Sequence, residues 1–208
     1  MRYFFLVLLI SGFSSVMAQT FTPVKDVAAT EKRISEASAK INSIQCDFTQ
    51  EKVTTMLTEK AVSKGKFYFK KESKVRLEYQ TPVKNLIVMS SGKMMMQDDK
   101  KTSQMDMHRS KMFQQLNNII VGSINGNLFS GKDFTATYSE NNTLIKVQLK
   151  PINKMMRNFL SEIVLVLDKK DFTATRIEMN EPGGDSTILQ FSGKQLNTSL
   201  NDSLFAVK

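Results

Sequence analysis

The 208-residue chain has no tryptophan, one cysteine, one histidine and four prolines. A lone Cys46 excludes an intramolecular disulfide and any cysteine-based metal cluster. His108 stands between Met107 and Arg109 with no serine or cysteine elbow elsewhere to activate, so nucleophilic catalysis has no candidate. Asp98-Asp99, followed at once by Lys100-Lys101, reads as a solvated hairpin tip rather than a pair of catalytic acids or metal ligands. The sequence therefore nominates no catalytic residue, no metal site and no cofactor, and it reads as a non-enzyme. After the first few residues it also lacks any apolar run near the roughly 20 residues that cross a bilayer.

What the N-terminus does have is a basic residue, Arg2, an apolar run from Tyr3 to Ile10, and small residues leading to Val16-Met17-Ala18. That is the pattern of a secretory signal peptide cut after Ala18. Residues 1–18 are expected to be removed, leaving 19–208 as one soluble, exported domain. Without Arg2 the mature chain has 28 basic and 20 acidic residues, a charge of +8. Export argues against nucleic acid as a partner, and the basic residues are dispersed along the chain, as on a solvated outer face.

Phenylalanine and methionine are plentiful, with 14 and 13 copies. Between Gly65 and Gln97, Phe67 and Phe69 alternate with Lys66, Tyr68 and Lys70, and Val75, Leu77 and Tyr79 alternate with Lys74, Arg76 and Glu78. A period of two marks half-buried antiparallel strands. The apolar run Leu86-Ile87-Val88-Met89 follows, and seven methionines fall between Met89 and Met112. A face so rich in Phe and Met is either the protein's own core or a deformable wall for apolar ligands.

Ahead of this stretch, Thr22-Pro23 offers a helix start, and Val27, Ile34, Ala37, Ile41 and Ile44 recur at helical spacing over about 20 residues. Strands are expected over 45–54, from about 60 through Gly65, and over 102–107, 133–139, 144–150, 163–168, 173–179 and 187–192. Gly65 suggests a bend or bulge. A second amphipathic helix carries Met112, Phe113, Leu116, Ile119 and Ile120 on one face and ends at Gly122. The expected fold is mainly β with α: an incomplete, strongly curved antiparallel barrel of about 10–11 strands, with helices lidding an apolar concave face.

The order Phe48-Thr49-Gln50, Gly65-x-Phe67-x-Phe69-Lys70, Val75-x-Leu77, Pro82, then Ile87-Val88-x-Ser90-x-Gly92-Lys93 resembles the periplasmic outer-membrane lipoprotein carriers, the LolA family. Val147-x-Leu149-x-Pro151, Ile188, Phe191 and Phe205 extend the resemblance over nearly the whole mature chain. It implies a monomeric periplasmic carrier that takes the acyl chains of lipoproteins from an inner-membrane ABC transporter and delivers them to an outer-membrane acceptor. Phe48, Phe67, Phe69, Val75, Leu77, Tyr79, Leu86, Val88, Met94, Met96, Met105 and Met107 would then line the acyl-chain cavity. Met112, Phe113, Leu116 and Ile120 would form its lid. Val75 and Leu77 stand where better-known members have aromatic residues, which implies a differently shaped pocket. The family's lid-gating arginine corresponds to Lys71, a donor without the planar guanidinium fork. The chain ends at Lys208 without the C-terminal extension of some members, so a different acceptor or handover is implied. The alternative on the same fold is a periplasmic regulatory protein that senses lipids or lipoproteins. A lipid hydrolase would need a nucleophile that the sequence does not offer.

Overall fold

Alternating side chains over most of the chain build a single twelve-stranded sheet in a computed structural model that describes residues 20–57, 59–109, 119–122, 124 and 133–207. The strands are β1 (Thr22–Pro23), β2 (Ser43–Val53), β3 (Ala61–Lys70), β4 (Lys74–Thr81), β5 (Asn85–Ser90), β6 (Lys93–Asp98) and β7 (Thr102–Asp106). They continue with β8 (Phe134–Glu140), β9 (Leu144–Pro151), β10 (Glu162–Asp168), β11 (Ala174–Asn180) and β12 (Ser186–Leu196). Every pairing is antiparallel, in the order β1-β8-β9-β10-β11-β12-β2-β3-β4-β5-β6-β7. The two outer strands, β1 and β7, are not paired to each other, so the barrel stays open.

Curvature follows from which residues meet. Leu77 on β4 and Ile177 on β11 line one cavity, although four inter-strand steps separate their strands, about 19 Å across a flat sheet. Only a curled sheet brings them around a common space. On its inner face, Val147, Leu149, Ile163, Leu165 and Leu167 pack with Ile34, and Phe48, Phe67, Phe69, Val75 and Leu77 form a second apolar cluster. A two-residue turn with positive φ at both positions, Ser91-Gly92, closes β5–β6, the conformation that matches strand twist, and the three-residue loop 71–73, with Glu72 and Ser73 at positive φ, closes β3–β4.

The first helix is shorter than its apolar spacing predicts. Helix α1 spans Val27–Ala39, with Asp26 rather than Thr22 as N-cap; the Asp26 side chain accepts from the Ala29 N–H at 2.9 Å. Thr22–Pro23 instead form the edge strand β1 beside β8, where a residue without an N–H is tolerated. Ile41 lies beyond the helix, and Ile44 belongs to β2. Their spacing of three mimics a helix, while Ile44, Cys46 and Phe48 alternate as a strand. The Tyr138 hydroxyl donates to Glu31 at 2.7 Å and ties α1 to β8; burial first, and the Glu31 carboxylate second, raise the Tyr138 pKa. The segment 152–161 contains a single helical turn, α2 (Lys154–Arg157), with Met156 buried.

After β12 the chain crosses the outer face. Leu200 and Phe205 cover Val88 and Met95, with Tyr68 and Leu86 beside them. Arg76 Nη1 donates to the Leu204 carbonyl at 3.1 Å, and Lys70 Nζ to the Leu200 carbonyl at 3.0 Å. Lys70 and Lys74 both donate to Asp202, at 2.9 and 3.0 Å, and hold its carboxyl below the usual 3.8. A carboxylate whose pKa is lower in the folded state stabilises that state above the unfolded value, and the contribution is lost as pH falls through the folded value. Acidification below about pH 4 is therefore expected to loosen this segment, read as a shift of the Leu200 and Leu204 methyl NMR signals. Asp202→Asn should make those signals insensitive to pH in that window; an unchanged titration in the variant would remove Asp202 as the cause.

Candidate functional site

Strand alternation carries most of the expected cavity residues to one face. Phe67 pairs with Leu77 and Phe69 with Val75 across β3–β4, so all four side chains point inward; Val75 in turn pairs with Met89, and Leu77 with Ile87. Phe48 meets Tyr79 edge-on with ring centroids 5.1 Å apart. The Tyr79 hydroxyl donates to Gln50 Oε1 at 2.9 Å, and burial raises its pKa. Met94 and Met107 are buried in this cluster, with Met96 and Met105 packed against it.

Two expected wall residues are on the other side of the sheet. Leu86 pairs with Glu78 and Val88 with Arg76, so both face outward, beneath Leu200 and Phe205. Ile87 and Met89 take the inward places. In four consecutive apolar residues no alternation reveals the parity; the register with β4 decides it.

At the centre of the inner face lies a cavity of about 60 Å³, walled by Ile44, Cys46, Phe67 and Leu77 on one flank and Thr173, Ala174, Ile177, Leu189 and Phe191 on the other. Ile120 and Ile124, both in helical backbone, form its cover, and Lys194 completes the wall. Of the expected lid, Ile120 is therefore against the cavity, and Met112, Phe113 and Leu116 lie outside the described residues. The neighbouring Ile119 packs on the Val147–Leu165 cluster and Val121 on the Phe48–Leu77 cluster, so this stretch straddles both halves of the inner face.

Burial pushes the Cys46 thiol up to about 12, which keeps it a protonated, apolar wall residue. Lys71 Nζ donates to the Ala39 carbonyl at 2.9 Å, and its N–H to the Asn42 carbonyl at 2.8 Å. It thus caps the C-terminal end of α1, where unpaired carbonyls and the helix dipole favour a cation. His108 has its imidazole against Gly92, away from the cavity. No group of three or more His, Cys, Asp or Glu side chains is arranged to hold a metal among the described residues. A larger cleft of about 470 Å³ opens near the β4–β5 and β6–β7 turns, lined mainly by charged and amide side chains such as Arg76, Lys84, Asn85, Asp98 and Asp99. It has no continuous apolar wall to receive a hydrocarbon chain.

Lys194 was not foreseen, because strict alternation from Leu189 and Phe191 would turn it outward. The β12–β2 register shifts between Ser192 and Gln195, and Gly193 takes a φ of +63°. This bulge changes the parity, so Lys194 reaches the cavity and Leu196 packs on the inner cluster. An isolated glycine near the end of a strand pattern is the signal that marks it.

No curated protein matches the chain. Among solved structures, an uncharacterised conserved protein from Thermus thermophilus shares 10% identity at a TM-score of 0.54, covering 86% of this chain and 93% of its own. MucB shares 13% at 0.51, covering 87% and 62%, and a LolA superfamily protein from Nitrosomonas europaea 13% at 0.48, covering 85% and 97%. At such identities the likeness of the first two speaks to the fold alone. The family model described as "Outer membrane lipoprotein carrier protein LolA" matches residues 39–208, a span that contains β2–β12, the cavity and the outer-face segment, and the chain therefore belongs to the LolA family.

Proposed function

We propose that this protein is a periplasmic carrier that shelters the acyl chains of lipoproteins on the inner face of its open barrel. It receives them from an inner-membrane ABC transporter and releases them to an outer-membrane acceptor, working as a monomer after removal of residues 1–18. The observation that carries this reading is the cavity: apolar walls from five adjacent strands, covered by Ile120 and Ile124 rather than by another strand.

The energetics ask for such a cover. Burying hydrocarbon is worth about 0.8 kcal/mol per CH₂, so an anchor of about 45 methylenes represents on the order of 35 kcal/mol gross. Spontaneous escape into water is negligible on that scale, and a carrier must offer a comparable apolar surface while remaining able to let go. The enclosed space of about 60 Å³ is far below the roughly 300–1,000 Å³ of sites that hold drug-sized ligands. Acyl chains therefore enter only when the segment bearing Ile120 and Ile124 moves off the sheet. That segment competes with cargo for the same side chains, and its return recovers part of the binding energy at release.

The test is native mass spectrometry of the protein purified from its own periplasm with the outer-membrane acceptor depleted. A one-to-one adduct with triacylated lipoprotein is expected. A protein that carries no acylated species under this block would end the carrier reading, and one that holds lipoprotein but never transfers it between membranes would be a sensor.

A further inference from the structure

Among the described residues the cavity wall has one charged member, and the chain places it there by breaking its own strand pattern. The bulge between Ser192 and Gln195, with Gly193 at φ +63°, turns the Lys194 side chain from the outer to the inner face. There it is only 14% exposed. Burying an ammonium among Phe191, Leu189 and Ile177 is unfavourable unless it is paired, and its pairing with the described residues is incomplete. Lys194 Nζ donates to the Thr173 hydroxyl and reaches Asp171 Oδ1 at 3.5 Å. That same oxygen already accepts from the Thr173 N–H at 2.8 Å and from the Thr173 hydroxyl at 2.6 Å. An ammonium has three donors, and the third is taken by no described residue.

We infer that Lys194 and Thr173 form a polar anchor at the end of the apolar cavity, and that the cavity accepts a single-chain amphiphile with an anionic head, a long-chain acyl carboxylate. This rests on the acyl-chain reading above and adds a ligand class to it. The hydrocarbon lies between Phe67 and Leu77 on one flank and Ile177 and Phe191 on the other, and the carboxylate oxygens accept from Lys194 Nζ. Asp171 keeps its backbone contact with Thr173 and holds the hydroxyl in place. A neutral hydroxyl head of equal chain length gains the same apolar burial and can accept from the ammonium, but it forms no ion pair with it.

The experiment is displacement of a neutral naphthylamine dye from the full-length protein by palmitate, 1-hexadecanol or 1-palmitoyl lysophosphatidate, each below its aggregation threshold. The wild type should bind palmitate about tenfold or more tightly than hexadecanol, Lys194→Met should abolish that preference by weakening palmitate far more than hexadecanol, and Lys194→Arg should retain it. Tighter binding of the lysophosphatidate than of palmitate, lost in Lys194→Met, would support the anchor with phosphate as its preferred head. Equal affinity of the wild type for palmitate and hexadecanol overturns the anchor and leaves the apolar cavity standing. Failure of every amphiphile to displace the dye overturns the acyl-chain reading and the anchor with it.

Discussion

Leu77→Arg is expected to abolish acyl-chain uptake in a protein that still folds but melts at a lower temperature. Leu77 is 8% exposed, lines the cavity and stands opposite Phe67 and Ile87 on the inner face. A guanidinium stays charged at any accessible pH. With Lys194 in the same wall it meets another cation rather than a counterion. Placing hydrocarbon against it removes its water without supplying a partner, a penalty of several kcal/mol, so the affinity for acylated cargo should fall by more than about a hundredfold. The same unpaired charge lies near Lys194 in the empty protein and costs stability there too, so uptake is compared well below the variant's own melting temperature. Val88→Ala makes the contrasting control. Val88 is fully buried on the outer face against Met95, Leu200 and Phe205, and its truncation should lower stability by about 2 kcal/mol without touching cargo. Native mass spectra and thermal melts of the two variants separate the faces. Uptake by Leu77→Arg equal to that of the wild type would place the binding surface elsewhere.

The division of the sheet into those two faces shows which parts of the architecture were legible in the residues. Where polar and apolar side chains alternate, as from Lys66 to Lys70 and from Lys74 to Tyr79, the inward set was readable because one register error would expose the whole face. The run from Leu86 to Met89 is apolar at every position, since both faces are covered there: the inner by the Phe67–Leu77 cluster, the outer by the segment from Leu200 to Phe205. Its parity is a property of pairing with β4. That outer cover was itself not visible, as Leu200, Leu204 and Phe205 follow no strand or helix period and are fixed by Asp202 between Lys70 and Lys74. Helix α1 failed at both ends for a related reason. Local capping by Asp26 and strand alternation from Ile44 outweighed an apolar spacing that merely continued past Ala39. Lys194 was hidden by a bulge, a tertiary feature whose sole local trace is Gly193.

Gly65 shows how little room the curvature leaves, and Gly65→Ala is expected to lower the unfolding free energy by about 3 kcal/mol. A Cβ on Gly65 would lie 2.1 Å from the Glu78 carbonyl oxygen, 2.9 Å from its carbon and 2.9 Å from Phe48 Cε1. The carbonyl cannot retreat, because Glu78 is paired on both sides, with Lys66 on β3 and Leu86 on β5. The ring cannot retreat without breaking its edge-on contact with Tyr79. The register between β3 and β4 also shifts at Lys64/Gly65. The glycine therefore stands beside a bulge that adds local twist, and its missing side chain lets Phe48 lie against the β3 backbone. Alanine would gain a few tenths of a kcal/mol in backbone entropy, too little to offset the overlap. For a domain of this size the loss should appear as a melting temperature lower by about 6–12 °C. Gly183→Ala, where an added Cβ meets nothing within 4 Å, should melt within about 2 °C of the wild type. If Gly65→Ala melted with that control, β3 and β4 would have to separate more easily than their ladder allows. The aromatic packing of Phe48 and Tyr79 would then not depend on the close approach of the two strands.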